Sequence, residues 1–329
     1  MNTPMASPRG WLLAICLLPG GCVQPKAPTA AMGDATPDPR ARRADVERRV
    51  EEHRVAVDRA QLRIDGEERP FDLADFLDDG LLFDVPGGSL FIERDERGDV
   101  SGRVTLRSFE ERGEDQRCDG ALTPQRVGED HVLEGVLADP ACPASYALYV
   151  RFNEPYLQAG SARLTVTGSD VVLRGRVGSQ TFLRVREVME QHPEVTTLVL
   201  ADAPGSFNDH VNLETGRLIR EAGWSTRIPA DGLAASGGLD LFLAGVSRTV
   251  EPGGRLGVHS WCCDEGRSGA ELPQDHPAHV LHSAYAVDML GAAGLDFYFF
   301  CLGAAPHDGI HWMEEEELER FGVVTEDRP

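Results

Sequence analysis

The spacing of apolar residues changes near residue 170, and that change divides the chain. From about Gln61 to Thr167, apolar and polar positions alternate in short runs broken by Gly, Pro and Asp. Ser89–Glu93, Gly102–Arg107, Tyr146–Phe152 and Arg163–Val166 each follow the two-residue period that sends successive side chains to opposite faces of a strand. No long helical pattern interrupts them, which predicts a small all-β domain over 61–167. No catalytic constellation is visible in it.

Beyond this, over 168–329, strand and helix patterns take turns. Val171–Val177 reads as a strand, and Thr181–Gln191 as a helix with Phe182, Val185, Val188 and Met189 on one face. Val195–Leu200 is a β-branched buried strand running into the turn Ala203-Pro204-Gly205-Ser206. A helix over Asp209–Ala222 carries Leu213, Leu218 and Ile219, and Ser225–Ile228 is a short strand. Ala234-Ala235-Ser236-Gly237-Gly238 opens an apolar helix through Leu243, and Val246–Val250 and Arg255–His259 are strands again. Such alternation predicts an α/β domain with a largely parallel sheet.

The N-terminus has a different logic. Arg9 precedes the apolar run Trp11–Leu18, which is too short to cross a bilayer, and small residues follow. This is the pattern of a secretory signal over 1–21. Leu18-Pro19-Gly20-Gly21-Cys22 resembles a bacterial lipoprotein box with Cys22 as the acylated residue, although Pro19 departs from the usual pattern; the other reading is an ordinary cleaved signal. Either way the chain is exported, and a lipid on Cys22 would hold it to the periplasmic face of a bacterial membrane. Residues 22–60 read as a tether. Val23–Pro39 is rich in Pro, Ala and Thr, and Arg40–Arg59 alternates in charge sign, as a solvated helix or an extension of the tether would.

Charge narrows the partners. The 329 residues carry 32 Lys and Arg against 54 Asp and Glu, a net charge of −22, which argues against nucleic acid, whose phosphates are gripped by cations. Lys26 is the only lysine, so no lysine base or Schiff base operates in a folded domain. Export makes disulfides available. Cys118 and Cys142 are the natural pair, and closing that loop stabilises by roughly 3 kcal/mol. One of Cys262 and Cys263 could bond Cys301, leaving one thiol over, and the sequence leaves the pairing of these three open. A zinc site is the rival reading, but no C-x2-C pair supports it.

The order of the second region's pieces carries its chemistry. Ser206 follows a glycine-bearing turn at a strand's C-terminal end, where open α/β sheets place their sites. Ser236 stands at a helix start, where free N–H groups and the helix dipole favour a developing anion. His259 ends a later strand. A nucleophilic serine needs a base in reach and N–H donors for the oxyanion, and the backbone N–H groups of Ser206 and Gly237 are the candidates.

These motifs, with Arg255-Leu256-Gly257-Val258-His259, resemble the Clp-protease/crotonase superfamily, most closely its exported Clp-protease-like members, over Val171–Val324. The resemblance implies a repeated ββα spiral. In the Clp-type peptidases the serine begins a helix and the histidine ends the second strand after it, as Ser236 and His259 do. The matching place for the third member, an aspartate, falls nearest Asp308. Ser206 departs from the family, whose peptidases commonly carry a second glycine there. The resemblance also implies a homo-oligomer.

Each residue has a plainer reading. Ser236 could cap its helix, His259 could be structural, and Asp308 could be a turn residue. Asp240, four residues after Ser236, is an alternative orienting carboxylate or a structural hydrogen-bond partner. His276, His279 and His282 could share a helix face, but Pro277 suits a helix start and no metal is assigned. Glu314–Glu317 suits a helix N-terminus. The favoured function is an envelope-anchored serine hydrolase, most plausibly a peptidase acting on a peptide or protein without a cofactor. The alternative is a catalytically inactive lipoprotein that uses the fold as a binding or assembly module. Acyl-thioester chemistry is disfavoured, because coenzyme A substrates are not expected outside the cytoplasm.

Overall fold

A computed structural model describes residues 39–77, 79–95, 98–109, 115–140, 142, 144–264 and 266–325. The expected signal, Cys22 and the tether through residue 38 lie outside the described residues.

Helix α1 (Pro39–Val57) is charged along most of its length yet is docked on the body of the protein. Val46 and Val50, one turn apart, are buried against Phe182 and Val211. Arg42 and Arg43 reach the buried carboxylate of Glu214, which Arg217 also pairs with at 2.6 Å. A carboxylate left alone in that place would cost several kcal/mol, so these guanidinium groups are what permit the docking. The segment 40–59 is therefore part of the folded body rather than a free helix or an extension of the tether.

The β domain is a sandwich. Its strands are β1 (Gln61–Ile64), β2 (Glu67–Arg69), β3 (Asp72–Leu77), β4 (Gly80–Val85), β5 (Gly88–Arg94), β6 (Val100–Phe109), β7 (Asp115–Ala121), β8 (Thr123–Val127), β9 (Asp130–Leu137) and β10 (Tyr146–Phe152). One antiparallel sheet runs β2-β1-β10-β9-β8 and the other β3-β4-β5-β6-β7. Alternation along the strands puts Leu62, Phe83, Leu90, Ile92, Leu133 and Phe152 between the sheets, fully buried. A disulfide joins Cys118 of β7 to Cys142, with the Cα atoms 4.6 Å apart. The four-residue helix α2 (Glu154–Leu157) follows, capped by Asn153, whose side chain accepts from the Tyr156 N–H.

The domain border lies earlier than the sequence pattern placed it. β11 (Arg163–Thr167) pairs antiparallel with β12 (Asp170–Arg174) and so belongs to the second domain. Strand alternation is the same on both sides of that border, so periodicity alone had no means of marking it.

From β12 onward the chain repeats one unit. β12, β13 (Thr197–Asp202), β14 (Ser225–Ile228) and β16 (Arg248–Val250) pair in parallel in that order. After each of the first three, a shorter segment turns away and pairs with its own neighbours. Val177 bridges Ser206, Ala203 bridges Ala234, and β15 (Leu233–Ala235) pairs with β17 (Arg255–Val258), all in parallel. The helices α3 (Ser179–Gln191), α4 (Asp209–Glu221) and α5 (Gly237–Leu243) complete the three turns of a ββα spiral. Helices α6 (Val280–Leu290) and α7 (Gly294–Ala304), strand β18 (His311–Trp312) and helix α8 (Glu315–Arg320) close it, with β18 antiparallel to β17. Val171, Leu173, Leu198, Leu200, Leu241 and Phe242 are fully buried in its core. Each such side chain contributes roughly 1.5–3 kcal/mol.

The pairing of the remaining cysteines, open in the sequence, is not one with Cys301. Cys262 is bonded to Cys263, and Cys301 is free. Cys301 lies on the core-facing side of α7, where a thiol serves as a small apolar side chain.

Candidate active site

Ser236 sits between β15 and α5 with φ 50° and ψ −127°, a positive φ that L side chains rarely adopt. Holding a serine there costs of order 1–3 kcal/mol, a strain that surrounding structure must impose. Its side chain makes no cap hydrogen bond, so helix capping does not account for it. What surrounds it does. A methyl group added at Gly205 would lie 3.6 Å from Ser236 Cβ and 3.8 Å from its Oγ, so the turn after β13 faces the hydroxyl directly.

The donors stand beside it. A Cβ on Gly237 would come within 2.9 Å of the Ser206 nitrogen and 2.2 Å of Ser206 Cβ, so these two backbones are in contact. Among the described residues neither the Ser206 nor the Gly237 N–H has a hydrogen-bond acceptor, whereas Phe207 and Leu239, one and two residues further on, are paired. Val177 N–H donates to the Gly205 carbonyl at 2.9 Å, and Phe207 N–H to the Val177 carbonyl at 2.9 Å. Asn212 is buried beneath them and donates from Nδ2 to the Gly237 carbonyl at 2.9 Å. Two fixed, unpaired N–H groups next to a strained serine are what an oxyanion site requires.

His259 arrives by strand register. The last pair between β15 and β17 is Ala235 with Gly257, so Ser236 and His259 both leave the C-terminal edges of adjacent strands. Paired strands run about 4.8 Å apart. The register thus brings residues 236 and 259 to one edge of one sheet, although no hydrogen bond joins their side chains among the described residues. Burial pulls the ring's pKa below the ordinary histidine value, against the Ser260 backbone and the negative charge of Asp209, so it is neutral at pH 7. Its Nδ1 is buried with no hydrogen-bond partner among the described residues.

Asp308 makes no hydrogen bond to His259 Nδ1 among the described residues. It lies exposed in the turn after α7, whereas its neighbour His307 is the residue whose backbone and ring act on His259. The negative charge of Asp209, at the start of α4, which the sequence marked only as a helix beginning, also reaches the ring, without an ion pair to it among the described residues. Asp209 Oδ1 accepts from Ser206 Oγ at 2.6 Å, and its Oδ2 lies 3.8 Å from His282 Nε2.

The other candidates are structural. Asp240 is buried and accepts from Asn212 Nδ2 at 3.2 Å; burial, then the nearby Asp209 charge, push its carboxyl well above the usual carboxylate range. Its ionised form is disfavoured there. In the unfolded chain this group ionises above about pH 4, so a native pKa raised by burial costs stability above that pH. Asp240→Asn is therefore expected to raise stability at pH 7, with the gain vanishing below about pH 4 in urea unfolding. His276, His279 and His282 do not converge: His279 Nδ1 bonds the Tyr298 hydroxyl at 2.8 Å while His282 faces Asp209. Among the described residues no three ligands are placed to hold a metal ion. Glu315–Glu317 form the first turn of α8, where Glu317 takes the N–H of Glu314 at 2.9 Å and the His311 ring at 2.8 Å.

No family model matches the chain, and no curated protein does. Solved structures similar to it include an enoyl-CoA hydratase/isomerase from Cupriavidus metallidurans CH34, at 17% identity over 50% of this chain and 66% of that one, with a TM-score of 0.32. An enoyl-CoA hydratase from Bacillus anthracis shares 12% identity over 51% of this chain and 69% of its own, at 0.33. The 1510-N membrane-bound stomatin-specific protease, solved as its K138A mutant with a substrate peptide, shares 20% over 44% and 66%, at 0.31. The likeness is one of fold alone. About a third of each of those proteins is unmatched, and what this site can do is set by its own residues.

Proposed function

We propose that the chain is a serine hydrolase acting on an acyl bond, most plausibly in a peptide, and anchored to the cell envelope through a lipid on Cys22. The observation that carries this reading is Ser236: a strained serine that caps nothing, beside two unpaired N–H groups and on the same sheet edge as a neutral histidine. Its Oγ would attack the carbonyl, His259 would take the proton and later return it to the leaving group, and the Ser206 and Gly237 N–H groups would hold the oxyanion. The lack of lysine beyond Lys26 leaves the imidazole as the base. The orienting carboxylate is open between Asp308, by resemblance, and Asp209, by its charge at the ring.

The test is labelling of the purified mature chain with a fluorophosphonate, which phosphonylates an activated serine. Covalent label on the folded wild type supports the hydrolase. A folded chain that takes no label supports a binding module instead, a second reading favoured by the partnerless His259 Nδ1. Because burial lowers the His259 pKa, the base form persists to lower pH than in an ordinary histidine. The labelling rate should fall on the acid side with a midpoint below 6.5, followed from pH 4 to 8. A midpoint at or above 6.5 would remove His259 as the buried base. For the anchor, Cys22→Ser should abolish incorporation of labelled palmitate in cells; unchanged incorporation would remove the lipid from the account.

A further inference from the structure

The β domain is built against the candidate site through strand β3. Asp72 pairs with Arg163 at 2.5 Å, and Phe76 packs edge-on against Phe207 with ring centroids 5.4 Å apart. Between these contacts lies Arg176, in the loop that leads from β12 to α3. One terminal nitrogen, Nη2, pairs with Asp75 at 3.0 Å, and the guanidinium lies over the Phe207 ring at 5.4 Å. The other, Nη1, comes within 3.1 Å of where a Cβ on Gly205 would be, and that same position is 3.8 Å from Ser236 Oγ. The guanidinium is thus held at one end by the β domain and presents its other end beside the hydroxyl.

We infer that Arg176 binds a carboxylate of the substrate next to the acyl group that Ser236 attacks, either an acidic side chain or the free C-terminus of a peptide. A guanidinium offers donors on two edges in one plane, and among the described residues only the edge toward Asp75 makes a hydrogen bond. The Phe207 face beneath and Asp75 behind fix the fork, so little side-chain entropy remains to be lost when a second carboxylate binds. The chain's net charge of −22 repels acidic ligands in general, so accepting one here takes a fixed cation at the point of contact. On this account the β domain, through Asp75 and Phe76, positions a specificity residue of the other domain.

This rests on the hydrolase reading for the place of the substrate, but its test is binding and needs no turnover. The full mature chain carrying Ser236→Ala is titrated with fluorescein-labelled hexapeptides in matched pairs. One set differs by Glu against Gln at a single position, and the other has a free against an amidated C-terminus. Fluorescence anisotropy should show one acidic member binding roughly tenfold tighter than its neutral partner, the size expected of a hydrogen bond to a charged group. The set in which the preference falls identifies the source of the carboxylate. Adding Arg176→Gln should abolish the preference and Arg176→Lys should restore part of it. Equal binding within every pair, no binding by any peptide, or a preference that survives Arg176→Gln would overturn the inference. If Arg176 only joins the domains, Arg176→Gln and Asp75→Asn would both lower Tm while leaving any preference unchanged. Fluorophosphonate labelling of the wild type judges hydrolysis separately, so the two readings fail independently.

Discussion

Substituting Ser236 is expected to remove the chain's reactivity while leaving its stability equal or better. With Ser236→Ala, fluorophosphonate labelling and any hydrolysis should fall by at least about 10^3-fold, because the attacking hydroxyl is gone. His259→Ala should cost a loss of similar order, since the two act as one unit and their effects do not add. Ser236→Gly is the more telling variant. At φ 50° a glycine is at ease where a serine is strained, and the serine side chain caps nothing that would be lost. Glycine there should leave the protein as stable as wild type or about 1 kcal/mol more stable in urea unfolding, and inert. A serine retained for structure would give the opposite pair of results, with stability lost on replacement and labelling untouched.

Gly238→Ala is expected to be the most damaging small substitution at the site. Its Cβ would fall 2.0 Å from the Ala203 carbonyl oxygen and 2.9 Å from Ala203 Cβ, so α5 rests directly on the backbone that leads into Ser206. Neither group is the end of a flexible side chain, and the helix must therefore move. Overpacking of this kind costs about 3 kcal/mol, which for a domain of this size lowers Tm by roughly 6–12 °C. The same shift separates Gly237 from Ser206 and should remove labelling even in the fraction that remains folded. Gly303→Ala is the matched control, because a Cβ there meets nothing within 4 Å on an exposed turn of α7. It should raise stability slightly, by less than about 1 kcal/mol, and leave labelling unchanged. Thermal scans of both variants check the contrast.

The second domain was legible because its apolar period switches between two and 3.6. Ser225–Ile228 was placed at its observed bounds, and α3 and α4 to within about a turn. The β sandwich was read through the same alternation in Tyr146–Phe152. Three features were not legible. Helix α1 docks through only two valines, Val46 and Val50, and its decisive partner Glu214 is 172 residues from Arg42, so local pattern reports only a charged helix. β15 is three residues long, too short for a period, although its register with β17 brings Ser236 and His259 to one edge. The charge of Asp209 at His259 depends on how the start of α4 faces the end of β17, which no spacing along the chain encodes. Asp308 was chosen by its place in a resemblance, and in its turn the carboxylate is exposed while the neighbouring His307 acts on the imidazole.

The role given to Ser236 is tested most directly by locating the phosphonyl group on labelled wild-type protein. Trypsin, cutting after Arg227 and Arg248, releases Ile228–Arg248, which contains two serines, Ser236 and Ser247. Fragment masses should place the adduct on residue 236 alone, at close to one group per chain. A fully folded chain carrying the group on Ser247, on a serine elsewhere, or nowhere would contradict the account.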